Sequence, residues 1–460
     1  MNGASGLFPP PALILSFNRF MITFQAIISP HTDAFRLEGR GEEHRIAADR
    51  EPSMKPLPRG IIILGLVSFF TDLSSEMIYP LLPVFLSSVL GAGALALGVI
   101  EGIAESTASL FKVASGIWTD RTQRRKPFIF VGYGVSGLVR PLIAFAPSWI
   151  FVLLMRFADR IGKGTRSSPR DALVADITDP GQRGAAYGLH RSLDHAGAVF
   201  GPLVAAALLG YFALSLRQVF FLSIIPAILV MYILAFHVKE PARKAAGQVR
   251  PAIAGSHWKD LGGGFKVFLA AILLFTLGNS TDAFLILRMS DAGVSASHIA
   301  ILWSAHHIIK MIFTYGGGRL SDRFGPRRLI VSGWIVYALI YAAFSIANTP
   351  IALIVIFLLY GIYFGLTEPS EKSLVVSLVP VNLRGTAFGY YHFIVGLGAL
   401  PASLLFGLLW HTFSAEVAFL TGAGLALLAA LLLIASRMLV REAPEAEAPV
   451  VEAPQSGKTG

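Results

Sequence analysis

Charged side chains that interrupt long apolar runs are the residues of this sequence best suited to chemistry. Only 14% of the 460 residues are charged, whereas 54% are hydrophobic. An ionised group in hydrocarbon costs ~2.5–3.5 kcal/mol on insertion scales, and a carboxyl group beside a base there can bind and release a proton. We therefore expect proton coupling or substrate binding from the ionisable residues of these runs, which are Asp72, Glu76, Glu101, Glu105, Lys112, Arg156, Arg160, His190, Asp194, Asp282, Lys310, Glu368 and Glu371.

Three of these carboxylates are the preferred proton carriers. Glu101, Glu105 and Lys112 have the spacing of residues on one face of a helix, where acids and a base can be buried together. Asp72, in the preceding apolar run, is the third carrier. Lys112 and Arg156 are interpreted either as counter-charges for these acids or as anchors for an anionic substrate.

The elements that carry these residues are predicted to be membrane-spanning helices. Apolar stretches of roughly twenty residues recur along the chain, long enough to cross ~30 Å of hydrocarbon, and they lack the alternation of barrel strands. The mean hydropathy of +0.64 agrees with this interpretation. We predict an all-α integral membrane protein with twelve transmembrane helices, at about 61–89, 93–115, 127–146, 148–165, 185–210, 218–237, 265–287, 296–316, 328–347, 350–372, 385–410 and 416–436.

The formal net charge of +10 is interpreted as a sign of topology rather than of nucleic-acid binding. Linkers after odd-numbered spans, such as Gly91-Ala92-Gly93, are short and carry no Lys or Arg, whereas linkers after even-numbered spans are basic. The linker after span four is expected to contain Arg166, Arg170 and Arg183. Basic linkers remain in the cytoplasm, which predicts a multi-pass inner (plasma) membrane protein with both termini cytoplasmic.

Polar stretches divide the chain into domains. The longest interior one, 238–264, is predicted to be a cytoplasmic central loop between six spans and six more. The tail 438–460 is rich in Ala, Pro and Glu and is expected to be disordered. The extension 1–59 is expected either to be disordered or to result from a misplaced start, with translation beginning at Met54. The predicted membrane halves are 60–237 and 265–437.

An internal repeat relates the two halves. Its first copy contains Gly116, Asp120, Arg121, Arg124 and Arg125, and its second contains Gly318, Asp322, Arg323, Arg327 and Arg328. A second match, at nearly the same offset, pairs the stretch 183–188 with 384–389. Matches in the same order and at nearly equal spacing indicate two homologous halves, the organisation of many secondary transporters.

The repeated segments resemble the signature G-x-x-x-D-R-x-G-R-R of the major facilitator superfamily. Gln123 and Pro326 are departures from that pattern. A further stretch with Gly197, Gly201 and Pro202 resembles the superfamily's antiporter motif, which packs helices closely. The resemblance implies two pseudo-symmetric six-helix halves, a latch formed by the signature aspartates and arginines, and alternating access in a secondary active transporter. It favours proton-coupled efflux of a small solute.

Several alternatives remain open at this point. They are proton-coupled uptake, a transporter-like membrane sensor that moves nothing, and a metal cargo held near His306 and His307. A serine motif at Ser136 resembles that of intramembrane proteases, but twelve helices and a duplication argue against an enzyme. The expected partners are a small molecule or ion, the lipid bilayer and protons, without nucleic acid. The absence of cysteine excludes thiolate metal sites and disulfides, and we expect a monomer with no cofactor and no resident metal.

Overall fold

The computed structural model describes residues 56–92, 94–240, 258–294 and 296–439. The predicted extension 1–59, apart from its last four residues, lies outside this part of the chain. So do most of the predicted central loop and nearly all of the predicted tail 438–460. Glu101 and Glu105 lie in a described helix, but their side chains are outside the description.

The first half contains seven helices that form six membrane-spanning segments. The first segment is α1 followed by short helical turns at Tyr79–Leu81, Leu82–Val84 and Phe85–Val89, where Pro80 and Pro83 interrupt regular hydrogen bonding. The sixth segment consists of α6 and α7, which are separated at Ser223. The helices are α1 (Arg59–Glu76), α2 (Ala94–Thr122), α3 (Lys126–Leu142), α4 (Trp149–Asp176), α5 (Arg183–Gly210), α6 (Leu216–Leu222) and α7 (Ile224–Phe236).

The second half repeats this pattern. Its first segment is again broken, here between α8 and α9, and its remaining segments are single long helices. These helices are α8 (Gly263–Gly278), α9 (Ala283–Asp291), α10 (Ala296–Phe324), α11 (Pro326–Ile346), α12 (Pro350–Ser377), α13 (Arg384–Thr412) and α14 (Ala415–Leu439).

The predicted fold class, an all-helical membrane protein with twelve spans, is confirmed. Eight helical segments of the described residues are long and apolar enough to cross a membrane. The segments built on α2, α4, α8 and α10 are not among those eight. The segments built on α2, α4 and α10 carry buried charged residues and pack against the opposite half.

One boundary prediction was wrong in a way that affects the site. Helix α4 continues to Asp176, so Arg166 and Arg170 lie within it rather than in a linker. Arg166 is only 4% exposed and lies over the ring of Tyr133. The sequence interpretation ended the span at the first arginine beyond residue 165, because it did not anticipate that neighbouring side chains would stabilise charges so deep in the bundle.

Glycines allow the two halves to touch at one face of the bundle. We call this the loop face, because it carries the α2–α3 and α10–α11 turns. A methyl group on Gly116 of α2 would overlap the backbone of Gly385 in α13, and one on Gly318 of α10 would overlap Gly184 in α5. Small residues are therefore required at both crossings, and the halves are in direct backbone contact at the loop face.

Replacing Gly116 should open the loop face. Gly116→Val adds atoms where the backbone of α13 lies, and overpacking of this kind costs about 1–3 kcal/mol, or roughly 5–150-fold in population. The distance between spin labels attached through Gly181→Cys and Phe324→Cys, measured by electron paramagnetic resonance, should shift to a longer population. The chain has no native cysteine to interfere with this labelling.

The matched control is Gly424→Val, because a side chain at Gly424 on α14 meets nothing within 4 Å. It should leave the distance distribution unchanged. An unchanged distribution in Gly116→Val would show that this crossing does not limit closure.

Candidate functional site

The first aspartate of the repeat caps a helix of the opposite half. Helix α13 begins without a side-chain cap of its own, so its first N–H groups need an acceptor. The Asp120 carboxylate accepts hydrogen bonds from the backbone N–H groups of Gly385 (3.0 Å) and Thr386 (2.5 Å). A negative charge at the positive end of a helix is stabilised further by the helix dipole.

The second aspartate makes the equivalent contact in the reverse direction. Helix α5 also begins without a side-chain cap. The Asp322 carboxylate accepts hydrogen bonds from the backbone N–H groups of Gly184 (2.6 Å) and Ala185 (2.7 Å). Each half therefore contributes one aspartate and one uncapped helix. We call these two contacts the Asp120 latch and the Asp322 latch.

An ion-pair chain supports the Asp120 latch. The Arg125 guanidinium lies 2.6 Å from the Asp120 carboxylate and 3.3 Å from that of Asp176. Asp176 in turn accepts a 2.7 Å hydrogen bond from Arg384 of the second half. The other arginines predicted for the gating motif lie nearer the surface: Arg121, Arg124, Arg323 and Arg328 are exposed, and Arg327 is half-buried.

Deeper in the first half, two carboxyl groups meet. The Asp72 carboxyl group of α1 lies close enough to that of Asp194 in α5 for the two to interact electrostatically. The hydroxyl group of Ser68, one turn before Asp72, donates a hydrogen bond to Asp194. Two buried carboxyl groups at close range can share one proton, because their negative charges repel when both are ionised.

The glycine motif of α5 explains how the two carboxyl groups come together. A methyl group on Gly197 would lie 2.9 Å from the Cβ atom of Asp72, and one on Gly201 would lie 2.5 Å from that of Glu76. Helix α5 can therefore approach the acidic face of α1 only because these positions lack side chains.

Arg191 connects this acidic pair to the second half. Its guanidinium forms an ion pair with Asp194 and a bidentate one with Glu368 of α12, at 3.0 and 2.7 Å. The imidazole Nε2 atom of His195 lies 3.1 Å from the same Glu368 carboxylate. The geometry joins the acidic pair of one half to a carboxylate of the other through a single arginine.

A second carboxylate is shared between the halves. Asp171 of α4 has a side chain that is 0% exposed, and it lies 3.0 Å from Arg170 and 3.0 Å from Lys372 of α12. The Nε2 atom of His392 in α13 lies 2.9 Å from the same carboxylate. One carboxylate therefore faces an arginine, a lysine and a histidine.

A cavity of about 230 Å³ lies among these ion pairs. Side chains of both halves line it. Its lining residues are Lys112, Lys163, Ser167, Arg170, Arg191, Glu368, Lys372, Tyr391, His392 and Val395.

The remaining candidates of the first half form a separate cluster near Tyr79. Asp159 lies 2.9 Å from the Arg140 guanidinium and 3.8 Å from that of Arg156, and the hydroxyl group of Tyr79 donates a hydrogen bond to it. The guanidinium groups of Arg156 and Arg160 lie 4.0 and 5.8 Å from the centre of the Tyr79 ring. This cluster resembles a structural ion-pair network more than a substrate site.

In the second half, the predicted residues fall into two smaller groups. The Asp282 carboxylate accepts a 3.1 Å hydrogen bond from Tyr360 and lies 3.8 Å from the Lys310 ammonium group. Glu371 is buried and accepts a 2.6 Å hydrogen bond from Tyr391, one of the cavity residues.

The histidines do not assemble a metal site in the described part of the chain. No group of three His, Cys, Asp or Glu side chains there could hold a metal ion. His190 is fully buried, and His306 and His307 lie in α10 with His195 close to His307.

Some central residues were missed by sequence reasoning. Arg170 was assigned to a linker, Asp171 was not noted, and Arg140 was overlooked in an otherwise apolar run. The available signal for these residues was the adjacent pair Arg170 and Asp171, which is in register with the other ionisable positions of α4. Its partner Lys372 comes from the other half, which no local pattern reveals.

The twelve spans, the pseudo-symmetric latches and the polar cavity between the halves are features of a membrane transporter. The chain matches the Major Facilitator Superfamily over residues 64–290 and 267–458, and it belongs to that superfamily. This confirms the family resemblance of the sequence.

Individual relatives agree with this assignment. An uncharacterized MFS-type transporter of Methanocaldococcus jannaschii is 32% identical over 386 residues, covering 83% of this chain and 95% of the relative. A multidrug resistance protein of Escherichia coli is 23% identical, covering 80% of this chain and 92% of the relative. The structure of the fucose:proton symporter of Escherichia coli superposes with a TM-score of 0.68 at 14% identity, covering 83% of this chain and 98% of that one.

Neutralising Asp120 should weaken closure of the loop face. Asp120→Asn keeps the shape of the side chain but removes the charge that strengthens two N–H contacts and the Arg125 pair, a loss of about 1–2 kcal/mol, or roughly 5–30-fold in population. Turnover should fall while the affinity for solute changes little, which steady-state flux at varied solute concentration separates. Weakened affinity at unchanged turnover would contradict a latch.

Proposed function

We propose that this chain is a secondary active transporter that exports a small solute in exchange for protons by alternating access. The close approach of the carboxyl groups of Asp72 and Asp194 carries the proposal, because two such groups can share a proton beside an ion pair that joins the two halves. A proton at that position can be coupled to movement of the halves, because Arg191 links Asp194 to Glu368 of the second half.

Arg191 provides the coupling step. While the acidic pair holds its proton, it carries one negative charge, and Arg191 can divide its hydrogen bonds between Asp194 and Glu368. Loss of the proton gives the pair a second negative charge, which attracts Arg191 more strongly and weakens its bond to Glu368. Proton binding and release at the acidic pair therefore change the strength of the contact between the halves.

The latches support the alternating-access part of the proposal. The ion pairs and hydrogen bonds described between the halves extend from the loop face towards the centre of the bundle. On α5 and α13 they fall within about the first three turns of each helix. This arrangement is expected of a transporter closed at the loop face. The opposite state requires both latches to release as the halves rock.

The direction of transport and the orientation of the chain in the membrane are supported by different observations. The exposed arginines beside the latches favour a cytoplasmic loop face, and with it both termini in the cytoplasm. The close approach of α5 to α1 at Gly197 and Gly201 has the form expected of antiporters, and the Escherichia coli multidrug resistance protein is a relative. Together these observations favour export over uptake and over a sensor that moves nothing.

Removing the proton site should uncouple transport. In inside-out vesicles acidified by respiration, addition of a transported solute should release protons in the wild type, and a pH-sensitive dye records this release. We expect Asp72→Asn to reduce the release about a hundredfold or more while the protein remains in the membrane at wild-type abundance, because the amide cannot accept and release a proton. Asp260→Asn, at an exposed position, is the matched control.

The same assay tests Glu105, which the sequence favoured as a proton carrier. Wild-type proton release from Glu105→Gln would remove that residue from the mechanism, and loss of release would add it to the acidic pair. Wild-type release from Asp72→Asn would contradict the proposal itself.

A further inference from the structure

We propose that the transported solute is a small organic or inorganic anion, bound in the 230 Å³ cavity through carboxylate-like or phosphate-like oxygens. The proposal rests on the proposed transport function and adds the chemical class of the substrate. It is carried by the positive charge of the cavity wall.

The cavity wall is cationic. Five of its ten lining residues are Lys or Arg, and only one is acidic. That acid, Glu368, is already engaged by the bidentate Arg191 pair and by His195. The cationic lining residues are Lys112, Lys163, Arg170, Arg191 and Lys372.

The carboxylates that balance these cations lie behind the wall. The Asp171 side chain has no exposed surface, and it is shared by Arg170, Lys372 and His392. Asp194, which is 9% exposed, lies behind Arg191. A solute in the cavity therefore meets ammonium and guanidinium groups first, an arrangement that attracts anions and repels cations.

Donor geometry also favours an oxyanion. Lysine and arginine supply only hydrogen-bond donors, and Ser167 and Tyr391 add hydroxyl groups that can donate. Carboxylate and phosphate oxygens accept several such bonds at once, and charge-assisted hydrogen bonds are the strongest available to a ligand. The small volume and the presence of Val395 and Tyr391 favour a compact anion with some apolar surface.

Both halves supply the cations, which suits a transported ligand. Lys112, Lys163, Arg170 and Arg191 belong to the first half, whereas Lys372 belongs to the second. A bound anion that contacts cations of both halves can therefore add to the ion pairs that already join them.

The test measures binding by the full-length protein in detergent, independently of transport. The melting temperature is followed at constant ionic strength with benzoate, succinate and inorganic phosphate as anions, and with tetraphenylphosphonium and glucose as cationic and neutral probes. We expect at least one anion to raise the melting temperature saturably, and the other two probes to have no effect. Lys163→Gln and Lys112→Gln should each weaken the binding of that anion about tenfold or more.

The matched control is Lys266→Gln, because Lys266 lies over Trp258 and does not line the cavity. It should bind the anion as the wild type does. Two lysine variants are used because Lys372 also holds Asp171, and its replacement could unfold the protein.

Each outcome decides the proposal. Saturable anion binding that is lost in the Lys163 and Lys112 variants supports it. Three results would overturn the anion site. They are stabilisation only by tetraphenylphosphonium or glucose, stabilisation by none of the probes, and stabilisation by anions equally in all variants. Proton release in vesicles together with any of these negative results leaves the proposed transport function intact. Anion binding without solute-dependent proton release would instead remove proton-coupled export and keep the anion site.

Discussion

Charge pairing in a medium of low dielectric constant is the constraint on which this structure depends. A charged group is tolerated inside a membrane only beside a counter-charge, and here the counter-charges are shared between the two halves. Asp171 of the first half faces Lys372 of the second, and Arg191 of the first faces Glu368 of the second. Glu368 and Lys372 of the second half pair with groups of the first half, so the electrostatics of the halves and their relative position are linked.

The latches at the loop face apply the same principle to backbone groups. Two helices begin without caps of their own, and each receives an aspartate from the opposite half. Such contacts are strong enough to hold a closed state and, because each consists of a few hydrogen bonds, weak enough to be released. Glycine at the crossings brings the backbones close enough for these bonds to form.

Local patterns in the sequence predicted the fold well and the site only in part. Run lengths gave the twelve spans, and the repeat gave the two halves with Asp120 and Asp322 at equivalent positions. The pairing of Asp72 with Asp194 depends on how α1 packs against α5, which periodicity cannot reveal. Asp171, the partner of Arg170, was not noted because its other partners, Lys372 and His392, come from the other half. Residues whose environment is built by long-range contacts are therefore the ones that the sequence leaves unassigned.

The central claim is that the closed structure holds a proton between Asp72 and Asp194. Infrared difference spectroscopy of the membrane-reconstituted protein at neutral pH measures this directly, because a protonated carboxyl group has a C=O stretching band that a carboxylate lacks. The account predicts a protonated-carboxyl band in the wild type whose intensity falls in Asp72→Asn and is unchanged in Asp260→Asn. A wild-type spectrum without that band, or a band of equal intensity in Asp72→Asn, would contradict it.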